Sequence, residues 1–162
     1  MTTKKITRLA MLLSLGLILS YLESMLPLNF SVPGIKIGLA NMVTMLVLYN
    51  YGVKDSSVIL LLRVVLSGLI FTGLNTILFG IVGGAFCIAA MSVGKKLNCF
   101  SVIGVSVIGA FFHNIGQLVA AFIVMQNSNI IYYFPYLAIA GAVSGFLVGY
   151  VSAFLIKRFQ NI

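Results

Sequence analysis

Residues able to do chemistry are scarce in this 162-residue chain. Glu23 and Asp55 are its only carboxylates, and His113 is its only histidine. Two-metal hydrolysis, aspartate-pair binding of Mg²⁺-diphosphate and paired-carboxylate hydrolysis all need more acidic groups than these. Cys87 and Cys99 imply neither a disulfide framework nor a metal site. The sequence therefore predicts a protein that is not an enzyme and that holds no metal and no cofactor.

A second set of polar residues interrupts the apolar stretches of the chain and indicates binding rather than catalysis. Polar groups within a membrane are costly, and they usually face a cavity or the interior of a helix bundle. His113 and Gln117 are four positions apart and therefore share one face of a helix. We predict a small-molecule site in a polar-lined concavity, built from Glu23, Lys36, Asn41, Arg63, Asn75, His113, Asn114 and Gln117.

Structural interpretations of the same residues remain open. Asn114 and Gln117 could join helices through hydrogen bonds, and His113 could be a satisfied buried group. Arg63 could do no more than neutralise Glu23. If Arg63 and Lys36 both reach the site, two positive groups face one negative group. In that case the site favours a ligand with an anionic or strongly hydrogen-bond-accepting group.

Membrane helices are the elements that must position these residues. The chain is 61% hydrophobic and 7% charged, with a mean hydropathy of +1.17, which is typical of a polytopic helical membrane protein. One span takes roughly 20 apolar residues. The sequence predicts an all-α integral membrane protein, one domain over residues 1–162, with six transmembrane helices: about Leu9–Leu26, Ile37–Tyr51, two within Ser56–Val93 divided at Thr72–Asn75, Phe100–Met125 and Ile130–Ile156.

The basic residues orient these spans. Eight of the ten Lys and Arg residues fall at alternate breaks between apolar runs, and cytoplasmic loops collect such residues. The pattern predicts cytoplasmic N- and C-termini and places the polar site in the outer half of the membrane, open to the outside. The net charge of +8 is thereby explained without nucleic-acid binding, which needs a clustered basic face. Because no small-residue cleavage site follows the first apolar run, we expect a retained helix rather than a signal peptide.

Several segments together resemble a known family. They are Glu23–Pro27, Pro33–Asn41, Arg63, Gly83–Ala85, Ser106, Gly109–Ala110, His113–Asn114 and Gly116–Gln117. The chain resembles the Gx transporter family, which is also labelled heptaprenyl diphosphate synthase component I. That family is in turn similar to the substrate-binding S-components of energy-coupling factor (ECF) transporters.

The resemblance implies a substrate-binding subunit in the cell membrane for small-molecule uptake. It implies a six-helix bundle whose pocket lies near the outside, and a first helix that docks on a coupling subunit through a small-xxx-small motif. Ala10 and Ser14 occupy the positions of that motif, with Ser in place of the usual second Ala. The chain lacks the nucleotide-binding motif Gly-x-x-x-x-Gly-Lys-Ser/Thr, so ATP hydrolysis would come from partner ATPase subunits.

Two other functions stay open at this point. The family label fits a non-catalytic membrane accessory subunit of polyprenyl diphosphate synthesis. The resemblance extends to membrane components of flavin- or quinone-linked extracellular electron transfer. The identity of the substrate lies beyond the sequence.

Overall fold

Helices form every regular element in the part of the chain that the computed structural model describes, residues 3–25, 38–126 and 128–160. Their bounds are α1 Thr3–Met25, α2 Asn41–Asn50, α3 Val53–Ser67, α4 Leu74–Lys96, α5 Val102–Met125 and α6 Phe134–Gln160. A π-helical turn, Gly68–Thr72, continues α3, and a 3₁₀ turn, Ser128–Tyr133, precedes α6.

Five helical segments are long and apolar enough to cross a membrane. They are Thr3–Met25, Val53–Thr72, Leu74–Lys96, Val102–Met125 and Ile130–Arg158. Each coincides with a predicted span, and the predicted division at Thr72–Asn75 is confirmed. Gly73 makes this break with φ +90° and ψ 157°, a backbone conformation that glycine adopts readily. The chain is therefore a multi-pass helical membrane protein.

The second predicted span is not confirmed. Ile37 lies outside the described residues, and α2 covers only 10 residues, or about 15 Å at 1.5 Å per residue. Every side chain from Val43 to Leu48 is buried, because α2 packs against α1, α3 and α6. A helix that is apolar on all sides is either a span or a core element. The described part of α2 is a short core helix.

All six helices begin or end at one common end of the bundle, called here the basic end. Lys5 of α1 pairs with Asp55 of α3 at 2.6 Å between Nζ and Oδ2. Lys95 of α4 donates from Nζ to the Leu48 carbonyl of α2 at 2.8 Å. Ile156 of α6 packs in the same apolar cluster as Leu9 of α1. The contacts place the starts of α1 and α3 beside the ends of α2, α4 and α6.

Glycines bring α4, α5 and α6 into close contact. A Cβ at Gly116 of α5 would lie 2.8 Å from the Cα of Gly83 in α4. On α6, a Cβ at Gly145 would lie 2.9 Å from both the Ala110 Cβ and the Val107 Cα of α5. Small residues permit such approaches in lipid, where van der Waals packing drives helix association. The three helices form a closely packed wall that carries His113, Asn114 and Gln117.

Candidate functional site

One cavity of ≈ 810 Å³ lies among the six helices. Seven of the eight residues predicted from the sequence to bind substrate line it: Glu23, Asn41, Arg63, Asn75, His113, Asn114 and Gln117. The eighth, Lys36, lies outside the described residues. The fold thus brings together side chains from α1, α2, α3, α4 and α5. Whether they bind a substrate stays a prediction.

Arg63 is the central charged group of this cavity. Its side chain is only 8% exposed. Nη1 donates to Ser20 Oγ at 3.3 Å and Nη2 donates to Asn41 Oδ1 at 3.0 Å. Nε is buried and has no hydrogen-bond partner among the described residues. Because a guanidinium carries five N–H donors, Arg63 joins α3 to α1 and α2 and still has donors to offer.

Glu23 stabilises the turn that precedes α2. Its Oε1 accepts a hydrogen bond from the backbone N–H of Gly38, whose φ of +74° forms the turn before the helix. The Gly38 carbonyl then accepts from the Asn41 N–H at 2.8 Å. Glu23 also interacts electrostatically with Arg63. The carboxylate therefore balances the Arg63 charge and fixes the turn that presents Asn41 to Arg63.

The three predicted residues on α5 take different positions in the wall. A Cβ at Gly83 would lie 3.0 Å from both His113 Cε1 and Gln117 Cγ, so these two side chains lie over the bare backbone of α4. Gln117 is 8% exposed, and its Oε1 has no hydrogen-bond partner within the described part of the chain. Asn114 Nδ2 donates to the Leu137 carbonyl of α6 at 2.6 Å. Asn114 therefore lines the cavity and also joins α5 to α6.

The two ends of the cavity differ in polarity. At the end opposite the basic end, the rim includes the exposed Asn75 and the half-buried Thr76, together with Phe71 and Tyr133. Toward the basic end, the floor is formed by buried apolar side chains: Met45, Cys87, Met91 and Val148. Met45, Cys87 and Met91 belong to the main apolar core of the bundle. Arg63 and Asn41 lie between the rim and this floor.

Sequence reasoning missed Ser20, Gly38 and the apolar residues of the floor. Ser20 lies three positions before Glu23 on α1, at a helical spacing that places both on one face, and this spacing could have identified it. The floor residues are apolar and look like ordinary core in the sequence. Within residues 3–25, 38–126 and 128–160, no three His, Cys, Asp or Glu side chains are grouped as metal ligands.

Ala10 and Ser14 lie away from the cavity. Both are exposed on α1, and Ser14 Oγ donates to the Ala10 carbonyl at 3.0 Å. The opposite face of α1, with Leu9, Leu12 and Gly16, is buried against the bundle. The predicted docking pair is therefore accessible, and its partner stays a prediction.

A family model described as heptaprenyl diphosphate synthase component I matches residues 12–155. No curated protein and no solved structure matches the chain. Because the match covers most of the sequence, the chain belongs to this family.

Proposed function

We propose that this member of the heptaprenyl diphosphate synthase component I family is the substrate-capture subunit of a small-molecule uptake system in the cell membrane. In this proposal both termini are cytoplasmic and the basic end of the bundle faces the cytoplasm. The positive-inside rule supports that orientation, since Lys54, Lys95 and Lys157 all lie at helix ends there. The rim at Asn75 then opens to the outside.

The observation that carries the proposal is the gathering of predicted polar residues around one cavity with a buried arginine at its centre. A charged residue within a span is costly and is usually retained for a purpose. If Arg63 were only structural, its donors would be expected to be satisfied by the helices around it. Instead its Nε lacks a partner in the described structure, and Gln117 nearby in the wall has an unpaired oxygen. A bound ligand would supply an acceptor for the guanidinium and a donor for Gln117 Oε1.

The charge of the ligand follows from the charges around the cavity. In the described lining, Arg63 and Glu23 are one positive and one negative group. Lys36 lies two positions before Gly38. The Gly38 N–H donates a hydrogen bond to Glu23. If Lys36 reaches the same region, the site carries a surplus of one positive charge. The proposed ligand therefore has an anionic or strongly hydrogen-bond-accepting group.

Partner subunits would supply the energy for uptake. The sequence contains no nucleotide-binding motif of the Gly-x-x-x-x-Gly-Lys-Ser/Thr type. In the proposed assembly an ECF-type coupling subunit docks on α1, where Ala10 and Ser14 leave a shallow exposed surface. ATPase subunits bind the coupling subunit from the cytoplasm.

A second candidate follows from the family description, which names one component of a polyprenyl diphosphate synthase. The chain would then be a membrane accessory subunit, because two carboxylates, with Asp55 paired to Lys5, do not suffice for Mg²⁺-diphosphate chemistry. Co-purification separates the two candidates. ATPase and coupling subunits support uptake, whereas a soluble prenyltransferase supports the accessory role.

The test of the proposal is mass spectrometry of the ligand retained by protein purified into lipid nanodiscs. Wild-type protein should retain one small molecule in near-stoichiometric amount. Arg63→Gln should lose it, because removing one partner of a desolvated charge pair costs about 2–5 kcal/mol. Arg63→Lys should retain a fraction, since lysine lacks the planar fork. Lys54→Gln, at an exposed position, is the matched control and should retain the wild-type amount. Equal retention by Arg63→Gln and Lys54→Gln would overturn the proposal.

A further inference from the structure

The cavity has a mostly polar level and a mostly apolar level. The polar level contains Arg63, Asn41 and Gln117. The apolar level lies closer to the basic end, because Met45 is one turn further along α2 than Asn41, and Met91 is one turn before Lys95. Ser106 and Ser144 are the polar side chains among the lining residues at this level. A cavity lined in this way does not offer a wholly polar ligand partners along its full depth.

Small and flexible side chains shape the apolar level. Met91 lies across the bare backbone of Gly109, since a Cβ there would be 2.5 Å from Met91 Cγ. Gly145 of α6 faces Ala110 of α5, and both line the cavity. Methionine is unbranched and polarizable, and it adapts to the shape of an apolar guest. The walls at this level can therefore accommodate a flexible apolar chain.

We infer that the ligand is an amphiphile, an inference that rests on the proposed function and specifies its substrate class. The anionic or accepting head lies at Arg63, Asn41 and Gln117, and the apolar portion extends toward the basic end between Met45, Met91 and Val148. Apolar cavities hold water poorly. A ligand with an apolar portion therefore fills the inner level, whereas a compact polar ligand leaves it empty.

The test uses n-alkyl phosphates as probes: butyl, octyl and dodecyl phosphate, with inorganic phosphate as the chain-free member. Wild-type protein is first freed of its retained ligand by extensive detergent exchange and then placed in nanodiscs. Binding is measured by calorimetry and corrected for partition into empty nanodiscs. Each buried methylene is worth roughly a factor of four in affinity. We expect octyl phosphate to bind at least ~10-fold more tightly than butyl phosphate, with the gain ending where the chain reaches the floor.

Two variants change the depth of the apolar level in opposite directions. Met91→Ala removes part of the floor and should shift the preferred chain length upward. Val148→Phe fills the same level and should shift it downward. Val143→Phe, on the exposed side of α6, is the matched control and should leave the preference unchanged. A cooperative thermal unfolding transition is required of each variant as the check that it is folded.

The outcomes separate this inference from the function on which it rests. Equal affinity for all chain lengths, or an unchanged length preference in both Met91→Ala and Val148→Phe, overturns the amphiphile and leaves ligand capture standing. Failure of every phosphate to bind to the ligand-free protein, when the freshly purified protein retains a ligand, overturns the assigned combination of head and chain. Absence of both probe binding and a retained ligand overturns the proposed function as well.

Discussion

Replacing Gly116 by alanine tests whether the close backbone contact between α4 and α5 holds the site together. The added Cβ would lie 2.8 Å from both the Gly83 Cα and the Val82 carbonyl oxygen, and 3.1 Å from the Gly83 nitrogen. All three atoms are backbone, so no side chain can turn away. Carbon atoms in contact are normally about 3.5–4.0 Å apart. Helices α4 and α5 must therefore separate by about 0.7 Å, the difference between those distances.

Overpacking of this kind costs about 1–3 kcal/mol. Alanine itself favours a helix over glycine by up to about 1 kcal/mol, so a control must cancel this gain. Gly104→Ala provides it on the same helix, because a Cβ there would meet Phe100 Cβ at an ordinary 3.5 Å. We expect Gly116→Ala to be less stable than Gly104→Ala by about 1–3 kcal/mol.

The assay is reversible unfolding with sodium dodecyl sulfate, followed by circular dichroism, together with ligand retention. Separation of α4 from α5 also moves Gln117 and His113 relative to Arg63. Loss of one hydrogen bond to the ligand would lower affinity about tenfold. If Gly116→Ala and Gly104→Ala unfold at the same detergent fraction and bind ligand equally, the contact between Gly116 and Gly83 does not position the site.

Three further predictions test orientation, docking and charge. Cys99 is exposed and Cys87 is buried. An impermeant maleimide should therefore label the protein at Cys99 in inside-out vesicles and not in intact cells. Labelling of intact cells would show that the orientation is the reverse of the proposed one. Ala10→Trp combined with Ser14→Trp should abolish co-purification of a partner without changing stability or ligand retention, and unchanged co-purification would count against docking at this face. Glu23→Gln combined with Arg63→Gln should recover the stability that Arg63→Gln alone loses but not its ligand binding; recovery of both would make Arg63 purely structural.

The sequence predicted the long helices and the polar lining of the cavity because both depend on local patterns. Continuous apolar runs predict spans, and the Gly73 break follows from a turn residue in an overlong run. The polar residues converge because each is too costly to face lipid, which explains why seven of the eight line the cavity.

The remaining features depend on contacts that a hydropathy pattern does not contain. The predicted span at α2 has the composition of a membrane helix, but its apolar side chains are buried against protein, and burial in lipid or in protein selects the same residues. The Glu23 contact with the Gly38 N–H joins two segments 15 positions apart. The apolar floor could not be distinguished from core, because Met45 and Met91 serve both the core cluster and the cavity wall.

The interpretations left open by the sequence are now partly separated. Asn114 joins α5 to α6 through the Leu137 carbonyl, so its structural role is established alongside its place in the cavity wall. Arg63 donates hydrogen bonds to Ser20 and Asn41, so its contacts are not limited to Glu23. The Gln117 side-chain oxygen is buried and has no hydrogen-bond partner among the described residues.

The central claim is that the cavity around Arg63 captures a ligand, and a crystal structure of the protein grown from a lipid phase with its retained ligand tests it most directly. We expect density for one small molecule within hydrogen-bonding distance of Arg63 and Gln117, with an apolar portion directed toward Met91. Density confined to the apolar groove between α4 and α5, lined by Phe86, Val93 and Phe112, with the Arg63 cavity holding only water, would contradict the claim.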